Sequence, residues 1–328
     1  MRITQLYSGG VMVNYYCSSR CAHCMYASSP TWPKEYMDAA MAERVFVTLA
    51  RFGCHCVHIG GGEPLLNPEG LYQVLEAANR HNVAIEYIET NASWYQPAQP
   101  QRTQAVLAHL LALGVDMLLI SISPFHNAYI PYEKITGLTD ACKAVNMAVF
   151  PYQRQFIPDI CAMDTHTPHP LAEYEQRYGT HYVRDAFRRF GIGPGGRAIA
   201  TAARWSHTPP EALCNSPPCH GLCETHHFHI DLFGRFVPGG CPGMGFDIGD
   251  LGAVLAPDKY PIAYALYTQG VRGLWDIACE AGFIPDAQGY ANHCHLCMAM
   301  RTFLCKHTPD MWPELTPQEY YAEAWRMA

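Results

Sequence analysis

The chain has 328 residues, 49% of them hydrophobic, and a formal charge of −7. That apolar content supports a sizeable core and argues against a disordered class, while the acidic balance without any basic run argues against nucleic-acid binding. Residues 1–10 carry one charge and too short an apolar run for a signal peptide, and no stretch approaches about 18 uninterrupted apolar residues. No membrane partner is therefore expected, and the expected location is the cytoplasm.

Fifteen cysteines stand against that background. In a reducing compartment, thiols at such density are more often ligands for soft metals than disulfide partners. Three fall within residues 17–24, and eight lie between 214 and 305.

In chain order, residues 11–16 read as a first strand. A helix follows over 38–52, with Asp38 as N-cap, Met41, Val45, Leu49 and Phe52 on one face and Gly53 as its stop. A second strand at 56–59 runs into Gly60-Gly61-Gly62-Glu63-Pro64, ahead of a helix over 69–81. A third strand covers 84–88 and a helix 102–113, and the nearly all-apolar run 115–122 suits a parallel strand covered on both faces. A helix over 134–144, a fifth strand at 147–150, a charged helix over 171–190 and a weak sixth strand near 197–203 complete the series. Repeated strand–helix units predict an α/β architecture, a partial (β/α)6 TIM-like barrel.

Around residues 206–223 the composition turns to Ser, Pro, His and Cys, which predicts a boundary between a barrel domain, 1–205, and a small cysteine-rich α+β domain, 206–328. There, 227–237 reads as a hairpin turning at Phe233-Gly234, and the remainder reads as helical, with a final helix opened by Thr316-Pro317-Gln318-Glu319.

Cys17-x3-Cys21-x2-Cys24 follows the first strand directly. Three thiolates on one short loop can hold three irons of a cubane and leave the fourth open to another ligand, whereas structural clusters take four cysteines. A zinc site is the alternative, with His23 as a poorly placed fourth ligand. Gly61, Gly62 and Glu63 follow the second strand, where a β/α barrel places its ligand loops. Glycines allow close backbone approach, and a carboxylate can accept from an amine.

This C-x3-C-x2-C triad followed by GGEP resembles the radical S-adenosylmethionine (radical SAM) superfamily, over residues 11 to about 203. The resemblance implies a [4Fe–4S] cluster on Cys17, Cys21 and Cys24, with SAM chelating the open iron and Gly61, Gly62 and Glu63 meeting its amine. It implies reductive cleavage of SAM to a 5′-deoxyadenosyl radical that abstracts hydrogen from a substrate, and an electron donor of reductase, flavodoxin or ferredoxin type. It also implies lesser SAM contacts at Thr90, Asn91, Ser121 and Ser123, and His23 near the adenine.

The later cysteines resemble a shortened auxiliary-cluster (SPASM or twitch) domain. Cys223 and Cys241 flank the hairpin, and Cys294 and Cys297 open a helix over 294–306. One auxiliary [4Fe–4S] cluster on these four is expected, with Cys305, Cys219 or Cys214 able to replace one of them, and a zinc tetrathiolate as the alternative. An auxiliary cluster suits a net oxidation or other C–H modification. The substrate is expected to be a small metabolite or a peptide, and transfer of part of SAM or a non-catalytic scaffold or sensor are competing functions.

Overall fold

The computed structural model describes residues 1–193 and 195–326. Its frame is an eight-stranded sheet in the order β5-β4-β3-β2-β1-β6-β7-β8. The first five strands are β1 (Gly9–Met12), β2 (Cys56–Gly60), β3 (Ala84–Thr90), β4 (Met117–Ser121) and β5 (Ala148–Tyr152). All five run parallel. The connecting helices are α1 (Ala39–Arg51), α2 (Pro68–Arg80), α3 (Pro100–Ala112), and then a short α4 (Pro124–Asn127) with α5 (Tyr132–Ala144). The helix signals act as expected: Asp38 accepts from Met41 N–H at the start of α1, and Val45, Phe46 and Leu49 bury its inner face. Leu118 and Ile120 in β4 are fully buried, as an apolar parallel strand requires.

Beyond β5 the chain forms α6 (Ile157–Cys161), α7 (Leu171–Tyr178), α8 (Tyr182–Phe190), α9 (Gly196–Ala202) and α10 (Pro210–Leu213). Two expectations change here. The charged helix over 171–190 is two helices, broken where Gly179 adopts a φ of +103°. Residues 197–203 are not a strand: four alanines in that run favour the helix α9 over the β-branched Ile199 and Thr201.

The architecture is the expected α/β one with a parallel-rich sheet, but its sixth parallel strand comes from further along. β6 (Phe228–Asp231) pairs in parallel with β1, Gly10 facing His229. It turns at Gly234, with φ +70°, into antiparallel β7 (Arg235–Val237), which pairs with β8 (Phe246–Asp247). The predicted hairpin thus exists and extends the main sheet. The remaining elements are helical: α11 (Pro261–Gln269), α12 (Val271–Glu280), α13 (His293–His307) and α14 (Gln318–Ala324). Because β1–β5 share one direction, the loops after their C-terminal ends gather at one end of the sheet, where such folds build their sites.

Candidate active site

Cys17, Cys21 and Cys24 lie on the loop leaving β1, the first two buried and the third half-buried. Cys17 N–H donates to Ser29 O and Cys24 N–H to Cys21 O, each at 3.1 Å. Ser19 N–H and Asn91 Nδ2–H both donate to Cys17 Sγ at 3.4 Å, contacts that favour a thiolate and tune a cluster bound to it. Burial, then the Glu63 carboxylate, pushes the Cys17 thiol up to about 12. Burial with the neighbouring Cys17 and Cys24 thiolates also pushes Cys21 upward. Such thiols hold their protons in neutral water until a cation displaces them. Ser19 Oγ and Ser28 Oγ are buried beside them with no partner among the described residues. Soft thiols, N–H donors and orphaned hydroxyls together fit a [4Fe–4S] cluster. Among the described residues no three His, Cys, Asp or Glu side chains converge as a single ion would require.

The Gly60–Pro64 turn supports this loop from below. A Cβ on Gly61 would stand 2.4 Å from Asn14 Oδ1, and one on Gly62 would stand 2.0 Å from Tyr16 O. These glycines are thus demanded first by the backbone leaving β1; Gly62 N–H donates to Asn14 O and Glu63 N–H to Tyr16 O. Glu63 is fully buried and its carboxylate accepts from Thr90 Oγ1 (2.9 Å), Asn91 N–H (2.7 Å) and Leu65 N–H (3.2 Å). Burial raises that carboxyl to about 7. Glu63, Thr90 and Asn91 therefore act as one strut between β2, β3 and Cys17.

The three cysteines, Gly61, Gly62, Glu63, Thr90 and Asn91 line one cavity of about 330 Å³, together with Ser121 and His23. The His23 ring packs among Phe125, His126 and Phe190 at centroid distances of 4.7–4.8 Å, an aromatic nest suited to a planar base. Ser123 departs from expectation. Its hydroxyl is bonded to His126 Nδ1 at 2.7 Å and caps α4, so it is used in starting a helix and does not line the cavity.

The sequence reading missed Arg197. It is 2% exposed, and its Nε–H donates to Cys21 O at 3.0 Å and its Nη2–H to Ser28 O at 2.5 Å. Its backbone N–H donates to Cys24 O, and Thr201 Oγ1 donates to Ala22 O. The start of α9 is thereby bolted to the cysteine loop. The contact is so close that a Cβ on Gly196, whose φ is +52°, would fall 2.4 Å from Cys24 O. The guanidinium also counters the thiolates, lowering both Cys17 and Cys21 against burial. Reading 197–203 as a strand hid this role.

Among the later cysteines, charge effects single out Cys219, one of the replacements that the sequence reading allowed. Burial and then the Cys241 charge push Cys294 up to about 11, with Cys219 adding to it. Burial pushes Cys297 up to about 12, and Cys241, Cys294 and Cys219 add to it while Arg301 opposes. Cys223 instead sits by Arg2 and the N-terminal amine. A single 3-10 turn over His220–Cys223 separates the two candidates, while Cys219 N–H is anchored to Leu266 O of α11 at 2.8 Å. Cys219, Cys241, Cys294 and Cys297 thus feel one another's charge, and Cys223 does not figure among them. Buried Arg301 lies one turn after Cys297, its Nη1–H donating to Pro242 O and its Nε unpartnered among the described residues. Cys305 stands apart, near Glu319.

No curated protein matches the chain. Among solved structures, it is similar to anSMEcpe with bound AdoMet (11% identity, TM-score 0.46, 93% of this chain and 98% of that one). It is also similar to BtrN in complex with AdoMet and 2-DOIA (15%, 0.40, 76% and 80%). A third is Streptococcus suis SuiB bound to S-adenosylmethionine (15%, 0.33, 77% and 62%). Likeness at these levels says nothing about this chain's substrate. The Radical SAM superfamily model matches residues 11–149, from β1 through the cysteine loop to β5. Over that segment the chain is similar to the radical SAM superfamily.

Proposed function

We propose that the chain is an enzyme that cleaves SAM reductively and uses the resulting 5′-deoxyadenosyl radical to take a hydrogen atom from a small metabolite or a peptide. The carrying observation is that three thiols on one loop, two buried and one half-buried, open into the same cavity as Gly62, Glu63, Thr90, Asn91 and Ser121. Cys17, Cys21 and Cys24 would hold the cluster, which supplies the electron for breaking a carbon–sulfur bond. Asn91 and Ser19 stabilise the Cys17 thiolate, Arg197 braces the loop, and His23 with its aromatic neighbours offers the nucleobase a face. Residues 1–205 carry this chemistry. Residues 206–328 carry a second [4Fe–4S] cluster on Cys219, Cys241, Cys294 and Cys297, an electron acceptor suited to a net oxidation. A reductase, flavodoxin or ferredoxin in the cytoplasm serves as donor. Among the described residues no helix is long and apolar enough to cross a membrane.

The test is anaerobic reconstitution followed by electron paramagnetic resonance of the reduced protein with and without SAM. We expect a SAM-dependent change in the cluster signal and 5′-deoxyadenosine as product, with both lost in Cys21→Ala. A signal indifferent to SAM would remove this reading, and SAM consumption without 5′-deoxyadenosine would replace it with transfer of part of SAM.

A further inference from the structure

The cavity has a second wall that neither the cluster nor the SAM residues use. Strand register sets Gly10 of β1 between His58 of β2 and His229 of β6. A Cβ on Gly10 would lie 2.3 Å from His58 Nε2 and 2.8 Å from His229 Cδ2. Only glycine there lets the two rings meet across the intervening strand. They do meet, Nε2 to Nε2 at 3.1 Å, while Tyr26 Oη lies 2.8 Å from His229 Nδ1. With the phenol donating to Nδ1, His229 Nε2–H donates to His58 Nε2, and both rings are fixed. His227 stands edge-on to His229, centroids 5.2 Å apart. Burial, with the nearby histidines adding to it, brings His58 down to about 4 and His229 down as well, so both rings are neutral at neutral pH.

Glu89 of β3 completes this wall. Its ion-pair partner among the described residues, His58 Nε2, is 3.9 Å away, beyond hydrogen-bond reach. Of its side chain 44% is open, and as a lining residue it opens into the cavity; enclosure there raises its carboxyl to about 7. Glu63, the other acidic residue of the lining, has its oxygens occupied by Thr90, Asn91 and Leu65. No Lys or Arg is among the described residues that line the cavity.

We propose that Glu89, His58, His227 and His229 form the recognition wall for the second substrate, and that this wall takes an ammonium or hydroxyl group on a molecule without phosphate. This rests on the radical SAM reading of the opposite wall. The Glu89 carboxylate, held by no hydrogen bond among the described residues and set beside rings whose own bonds fix them, offers the acceptor that matches N–H and O–H donors. A phosphate monoester would find no cation here and would face the Glu89 charge instead.

The test uses the anaerobically reconstituted, SAM-loaded holoenzyme with glucosamine, glucose and glucose 6-phosphate as probes, read by ligand-observed saturation-transfer NMR. We expect signals from glucosamine and glucose and none from the phosphate ester. Glu89→Gln should weaken glucosamine binding about tenfold or more, glucose less. Gly10→Ala, which drives a methyl group between the rings, should weaken both. Equal binding of glucose 6-phosphate, unchanged glucosamine binding in Glu89→Gln, no binding of any probe, or loss of SAM rather than probe affinity in that variant would each overturn the assignment. Failure of the radical SAM reading shows earlier and separately, as a cluster signal that ignores SAM before any probe is added, and the assignment falls with it.

Discussion

Arg197 illustrates how a single side chain can govern a site it does not enter. Its guanidinium spans two carbonyls of the cysteine loop, Cys21 O and Ser28 O, from a fully enclosed position. Arg197→Met removes the donors and leaves those carbonyls without partners, which costs roughly 2–4 kcal/mol. We expect a lower denaturation midpoint by urea titration and fewer irons per chain after reconstitution. Arg197→Lys should not restore either, because one ammonium cannot bridge two carbonyls as a planar fork does. The thiols themselves are legible in the sequence because a ligand loop is encoded locally, in spacing. Their brace is not, because nothing near position 197 announces a partner so far back in the chain. Ser123 fails for the opposite reason: alternation along β4 pointed it at the cavity, but the Pro124 that follows opens a helix and claims its hydroxyl.

At the level of elements, amphipathic periodicity and caps locate α1, α2, α3 and α5 and the five strands between them to within a few residues. Those signals work because each buries one face against a neighbour close in sequence. The run 196–202 breaks the rule: its burial comes from docking on the cysteine loop and α14, so its pattern says little about its own period. The preference for Cys219 over Cys223 in the proposed auxiliary site has a similar origin: both precede the hairpin, and the turn over His220–Cys223 separates them. Cys219→Ser is therefore expected to lower iron by about four atoms per chain while leaving the first cluster's SAM-dependent signal in place. Cys223→Ser should leave iron content unchanged. Iron analysis with Mössbauer spectroscopy of the two proteins checks this, and iron loss confined to Cys223→Ser would restore the original set.

For the molecule as a whole, the sheet joins what composition divides. β6 lies beyond the change in composition at 206, yet it pairs with β1 over four residues and delivers His229 to the cavity. A chain ending at residue 205 would leave β1 as an open edge and lose one wall of the site. We expect that protein to be insoluble or to unfold without a cooperative transition, whereas the full chain melts as one unit in scanning calorimetry. A soluble, cooperatively folding 1–205 fragment would show the halves to be independent. Alternation and turn chemistry revealed the hairpin, but its attachment to β1 is a long-range pairing that no local pattern encodes. The bond from Arg197 to Ser28 reaches across 169 positions. On a ribosome the three thiols emerge long before the residue that steadies their loop, and spend most of translation in a slack segment. On the proposed reading, a cluster on those sulfurs would find its loop steadied only after the polypeptide had grown past residue 197.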